Sequence, residues 1–255
     1  VIDIHSHILP SIDDGAQNEE EALALARAAE AEGIHTVAAT PHHQNGSFVN
    51  EAADIRAKTR HLNDAVQAAG INVTIIPGQE TRIHGEYLEE WEKGTILPVG
   101  GNTDYVLIEF PLDHVPRYAS QLLYDIQLKG LIPVIVHPER NEEIKDRPNL
   151  LYSLVKNGSL TQLTAASLTG RFGSKAKQLS LDLLEANLAH LIASDAHDTE
   201  KRGFHLQEGY AAVETKFNAR FVKQLQANAQ RLIQNERLLI DPPEHVKKKK
   251  FLGLF

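Results

Sequence analysis

The chain opens on Val1-Ile2-Asp3-Ile4-His5-Ser6-His7, a β-type run that ends in two histidines two residues apart. Side chains at i and i+2 of a strand share a face, so His5 and His7 project together. Two imidazoles at one strand end make a natural metal chelate. Alone, His-x-His is equally consistent with a hydrogen-bonded pair of core histidines. The run decides the fold because its pattern repeats. Further β-type runs occupy residues 34–40, 73–77, 105–110, 131–137, 160–164 and 190–194.

Helical stretches lie between these runs. Asn18 can cap a helix reaching about Glu32, with Glu21 at the capping-box position and Gly33 as its stop. Residues 50–69 end at Gly70 and residues 116–129 end at Gly130. Pro148 opens a helix that Gly158 follows, and residues 174–188 and 204–235 add more helix. Seven strands alternating with helices predict a parallel α/β sheet, and the strand number favours a barrel one strand short of the common eight. Most of the strands are apolar on consecutive positions, as parallel strands covered on both faces require. The expected organisation is a single barrel over residues 1–240 and a distinct tail over residues 241–255.

Chemistry gathers where the strands end. Asp13-Asp14-Gly15 follows the first strand, Thr40-Pro41-His42-His43 closes the second, and Pro77-Gly78-Gln79-Glu80 closes the third. Ile108-Glu109-Phe110-Pro111, His137-Pro138-Glu139-Arg140 and Ser194-Asp195-Ala196-His197 close the fourth, fifth and last. Each has a bland reading: a turn, a paired buried acid, a satisfied core histidine. Together they put nine ligand-type side chains on the C-terminal rim, where parallel barrels carry their active sites. Burying so many ionisable groups without a cation would be very costly. Histidine and carboxylate donors without sulfur suit Mn²⁺, Fe²⁺ or Zn²⁺. Closely spaced cations acidify water into a hydroxide nucleophile, which predicts hydrolysis at phosphorus or at a carbonyl. Arg140 and Arg202 favour phosphorus, because guanidinium forks grip phosphate oxygens in pairs; each is also an ordinary salt-bridge candidate.

The bulk properties narrow the classes. The chain has no cysteine, which excludes disulfides, thiolate metal sites and a cysteine-based phosphatase. A formal charge of −8 argues against a nucleic-acid-binding surface. No apolar run reaches the ~18 residues of a membrane span, and the opening residues read directly as strand, so a cytoplasmic location is expected. The tail from Lys247 to Phe255, with four consecutive lysines before Phe251-Leu252-Gly253-Leu254-Phe255, reads either as a solvated end or as a weak contact to an anionic membrane surface.

The ordered motifs resemble the PHP (polymerase and histidinol phosphatase) superfamily over residues 1–205. The opening nine residues, Phe110-Pro111-Leu112-Asp113-His114-Val115-Pro116-Arg117-Tyr118 and the basic-aromatic tail are similar to one branch. That branch is the manganese-dependent protein-tyrosine phosphatases of Gram-positive bacteria, encoded with capsule or exopolysaccharide genes, and the stretches resemble its bacillus members. The resemblance implies a distorted (β/α)₇ barrel holding up to three metal ions. His5, His7, Glu80 and Asp195 would hold the first, with Glu80 bridging to a second completed by Glu109 and His137. Asp14, His42 and His197 would hold the third, with Asp13 as the alternative to Asp14. It also implies a substrate, the phosphotyrosine tail of a membrane-associated bacterial tyrosine kinase. Arg140 and Arg202 would neutralise the phosphate, and His43 or Asp198 is the candidate acid for the leaving group. His205 is the candidate for a supporting role beside Arg202.

Three rivals are separable. A histidinol-phosphate phosphatase shares the ligands and arginines. An amidohydrolase needs a bridging lysine at a strand end, where this chain has Glu80. An inert binding module normally lacks part of the ligand set, which is complete here.

Overall fold

The computed structural model describes residues 1–247 of the 255-residue chain. The elements are β1 (Ile2–Ser6), α1 (Glu19–Ala31), β2 (Thr36–Ala39), β3 (His42–His43), α2 (Ala52–Ala68), β4 (Thr74–Pro77), β5 (Glu80–Arg82) and α3 (Tyr87–Lys93). Then come β6 (Tyr105–Glu109), α4 (Ala119–Leu128), β7 (Ile132–Val136), a 3₁₀ turn at Pro138–Arg140, α5 (Glu142–Asp146), α6 (Asn149–Lys156) and β8 (Leu160–Thr164). The chain continues through α7 (Ala165–Thr169), α8 (Ser174–Glu185), β9 (Leu191–Ala193), α9 (Leu206–Lys216) and α10 (Ala219–Ile233).

Helix starts follow local chemistry. Asn18 Oδ1 accepts the Glu21 N–H at 2.9 Å and so caps α1. The Glu21 carboxylate departs from the expected capping box, taking the Gln17 N–H at 2.8 Å and the Asn18 side-chain amide at 2.9 Å. The helix buries Ala22, Leu25, Ala26 and Ala29, a stripe at i, i+3, i+4 and i+7. The long helix expected over residues 204–235 is two helices. Asn218 takes an extended backbone and accepts the Phe221 N–H at 3.0 Å, which starts α10 afresh. Helix α3 was not expected from the sequence.

The strands pair in parallel as two sheets, β1-β2-β4 and β3-β5-β6-β7-β8-β9. The second and third expected strands are each interrupted. Pro41, which has no N–H to place in a ladder, separates β2 from β3, and Gly78-Gln79 separates β4 from β5. Ser6 and Ala196 form a parallel bridge between the first sheet and the chain just past β9.

An apolar cluster common to both sheets includes Ile2, Ile4, Tyr105, Leu107, Val134, Leu191 and Ala193, and α10 adds Ala229 and Leu232. Parity along β6 places Glu109 on the face of Tyr105 and Leu107, and along β8 it places Gln162 on the face of Leu160. The apolar floor and the polar basin are thus two ends of the same strand faces. β1 breaks parity: Ile2 and Ile4 join the floor although His5 and His7 reach the basin. Its register on β2 shifts between Asp3 and Ser6, as a bulge produces.

After α10 the chain runs without regular structure across the α6–α8 side. The Glu244 N–H reaches the Ala186 carbonyl at 2.8 Å, and the His245 ring stacks on Tyr152 with centroids 3.8 Å apart. Of the tail from Lys247 to Phe255, residues 248–255 lie outside the described residues. No helix among the described residues is long and apolar enough to cross a membrane.

Candidate metal centre

Strand register brings the site together. His42 on β3 is the register partner of Glu80 on β5, and His42 Nδ1 lies 2.7 Å from Glu80 Oε2. Arg82 on β5 is the partner of Glu109 on β6, and Arg82 Nε donates to Glu109 Oε2 at 2.9 Å. The His137 N–H is held by the Gln162 carbonyl, and His137 Nε2 lies 2.8 Å from Glu80 Oε1. From β1, His5 Nε2 and His7 Nε2 approach Glu80 Oε2 at 3.4 and 3.3 Å and Asp195 Oδ1 at 3.7 and 3.3 Å. His197 Nε2 and His42 Nε2 each lie 3.4 Å from Asp14 Oδ1.

Three groups of donors are close enough to share a cation: His7, Asp14, His42 and His197; His5, His7 and Glu80; and His42, Glu80 and Glu109. Eight of the nine expected ligands therefore stand in or beside these groups by direct donor proximity, and His137 joins through Glu80. The partition differs from the expected one at His42, which lies between the outer group and Glu80–Glu109.

The histidine rings are oriented by their second nitrogens. His5 Nδ1 is 2.9 Å from Gln162 Oε1, His7 Nδ1 is 2.6 Å from Asp13 Oδ2, and His197 Nδ1 is 2.9 Å from the Asp195 carbonyl. Each partner is an acceptor, so each Nδ1 carries the proton and each Nε2 turns a lone pair into the basin. Those Nε2 atoms, with His42 Nδ1 and Glu80 Oε2, are buried without a hydrogen-bond partner. Separations of 3.3–3.7 Å between them and the carboxylates match two ligands about 2.1 Å from one cation. The donor set fits divalent cations.

Asp13 stands behind the ligands. Its carboxylate holds His7 Nδ1 and takes the His42 N–H at 3.1 Å and the Gly15 N–H at 3.0 Å, while Asp14 points an oxygen at His42 and His197. Gly15 makes this turn fit, since a Cβ there would sit 2.0 Å from the His7 carbonyl oxygen. His137 and Asp195 both adopt left-handed backbone, with φ of 34° and 55°. Such strain at side-chain-bearing residues clusters where geometry serves a site.

Electrostatics follow the same layout. Burial disfavours charge on His5 and His7, yet Glu80, Asp195 and Asp13 carry both above the ordinary histidine value. Burial opposes ionisation of Glu80, but the surrounding histidines hold it well below the carboxylate range. Asp195 is also held low against its burial, by His7, His197 and Arg140. Both arginines meet there: Arg140 Nη1 lies 2.5 Å and Arg202 Nη2 3.2 Å from Asp195 Oδ2.

Two sequence expectations change. His43 is no acid for a leaving group: its ring is buried, Nδ1 accepts the Asn50 N–H at 3.1 Å, and Nε2 meets Glu90 at 2.9 Å. Asp198 is committed to its own loop, accepting the N–H groups of Glu200, Lys201 and Arg202. His205 faces Glu208 with Nδ1 at 3.7 Å. Arg82 was missed, although its i+2 spacing from Glu80 on a strand places both on one face.

A parallel α/β scaffold with a basin of histidines and carboxylates at its strand ends is the layout of metal-dependent hydrolases. Solved relatives in fold alone include a β-aspartyl dipeptidase from Fervidobacterium islandicum (13% identity, 96% of this chain and 75% of that one, TM-score 0.57). The chain belongs to the CpsB/CapC family of capsular polysaccharide synthesis proteins, whose model matches residues 1–234. It is 48% identical to the tyrosine-protein phosphatase YwqE of Bacillus subtilis over the full length of both chains. It is 37% identical to the putative tyrosine-protein phosphatase CapC of Staphylococcus aureus, again over both full lengths. A crystal structure described with YwqE and CpsB as unique metal-dependent tyrosine phosphatases matches with TM-score 0.94 at 48% identity, covering 97% of this chain and all of that one.

Proposed function

We propose that this chain is a metal-dependent phosphoric monoester hydrolase that removes phosphate from protein tyrosine. Its substrate is the phosphotyrosine tail of a membrane-associated bacterial tyrosine kinase that controls capsule or exopolysaccharide synthesis, which carries a cytoplasmic location with it. The observation that carries this reading is the convergence of two guanidinium forks on Asp195, beside buried ligand-type atoms that have no hydrogen-bond partner. The names of the full-length relatives support the substrate class.

His5, His7, Glu80 and Asp195 would hold one ion, Glu80, Glu109 and His137 a second, and Asp14 and His197 a third, with His42 within reach of the second and third and Mn²⁺ as the metal. Bound divalent cations would supply an acidified water and neutralise phosphoryl charge. The protein's own residues do the rest. Gln162 and Asp13 fix the His5 and His7 tautomers. Arg140 and Arg202 bind and orient the phosphate through donors that Asp195 leaves free. A tyrosine leaving group has a conjugate pKa near ~10 and needs less proton assistance than an alkoxide, consistent with the commitment of His43 and Asp198 elsewhere. We read the two sheets as one distorted (β/α)₇ barrel over residues 1–240, with β2–β3 and β4–β5 each a single interrupted strand and the Ser6–Ala196 bridge as its seam.

Elemental analysis combined with turnover of a phosphotyrosine peptide before and after chelation tests the reading. Stoichiometric metal and loss of turnover restored by Mn²⁺ are expected. Turnover that survives chelation, or strong preference for histidinol phosphate over the peptide, would overturn it.

A further inference from the structure

Phe172 stands out among the exposed apolar side chains because it touches the site. The Arg140 guanidinium carbon lies 4.6 Å from its ring centroid, while 37% of the residue remains exposed. The exposed part of the ring is apolar surface beside the arginine, open to a ligand. The backbone holds it there deliberately. Gly170 and Gly173, both at φ near 90° (92° and 91°), bracket Arg171-Phe172, and the Gly173 N–H closes the turn on the Gly170 carbonyl at 2.9 Å. Arg171 ties the turn to α9 through Glu208 at 3.2 Å.

Arg140 is thereby fixed in two directions. Asp195 takes one N–H of the fork, and the guanidinium carbon lies over the Phe172 ring. We propose that Phe172 is a positioning and specificity residue: its cation–π contact helps hold Arg140 toward a phosphate, and its exposed part receives the aryl group that carries that phosphate. This rests on the phosphotyrosine reading given above. An offset or edge-on contact between two rings favours an aryl over an alkyl ester by about fivefold. A purely aliphatic residue of similar volume supplies neither the cation–π contact nor the ring contact.

The test uses full-length Mn²⁺-loaded protein and two unreactive dianions, phenylphosphonate and methylphosphonate, with binding measured by calorimetry and folding checked by thermal melt. The native protein should bind phenylphosphonate about fivefold tighter. Phe172→Leu should erase that preference and weaken methylphosphonate about threefold through a loosened Arg140. Phe172→Tyr should keep both affinities. No aryl preference in the native protein, or Phe172→Leu matching it on both ligands, overturns the proposal. An aryl preference that Phe172→Leu abolishes supports it even if phosphotyrosine peptide is not turned over, a result that would sink the substrate reading alone.

Discussion

The buried histidines at the two ends of the strands behave oppositely. His190, just before β9, is buried almost as fully as His5 and His7, but burial without a neighbouring acid pushes its pKa down to about 4. Its Nδ1 simply accepts the Thr161 N–H at 3.1 Å. In the basin, comparable burial is outweighed by Glu80, Asp195 and Asp13, and the rings are driven toward the charged state. Burial alone therefore makes a neutral core histidine, whereas burial among carboxylates makes a place for positive charge, whether proton or metal ion. Within the basin a second contrast appears. Glu80 is fully buried among four histidines, whereas Asp14 is about half exposed (side chain 49%).

The largest effect should come from the centre of the basin. Glu80→Gln is expected to lower phosphotyrosine turnover by on the order of 10³ and to strip metal detectable by elemental analysis. Asp14→Asn should cost only about 10–100-fold and recover as cation concentration rises, because its site is open to solvent. Equal, unrecoverable losses for both would erase the inner–outer distinction.

Next in size is a stability effect at the opposite end. In the unfolded chain His190 takes a proton as pH falls through about 6.5, but in the folded protein it resists until about 4. Stability from this group is therefore lost on acidification across that window and nearly flat below it. The full swing is about 3 kcal/mol. His190→Gln should flatten the difference between urea midpoints at pH 7 and pH 4.5; an unchanged slope would mean the site is not desolvated as described.

The arginines should differ more modestly. Arg140→Lys is expected to reduce turnover about 100-fold, and Arg202→Lys about tenfold, since a lysine cannot reproduce a fork and Arg202 is the more exposed. Steady-state kinetics on the phosphotyrosine peptide would show the order reversed if Arg202 were the principal phosphate ligand. Smallest per pH unit is proton–metal competition. Because the carboxylates around His5 and His7 favour their protonated forms, metal binding is expected to release protons, and apparent affinity should fall on acidification by up to about tenfold per pH unit for each proton released. Calorimetry in buffers of different ionisation enthalpy counts those protons, and a count of zero would contradict the basin electrostatics.

The sequence by itself determined the seven strand segments, the Asn18 cap and the nine donor positions, because each is a local signal: an apolar run, a capping side chain, a polar residue where a strand stops. It did not separate Asp13 from Asp14, reveal that His43 is locked by Asn50 and Glu90, show the parity break in β1, or place Phe172 on Arg140. Those outcomes depend on which residue of a distant strand or loop a side chain meets. Periodicity tells which way a side chain points along its own strand. Only the register of strands tens of residues apart decides whether it meets a cation, a carboxylate or a ring.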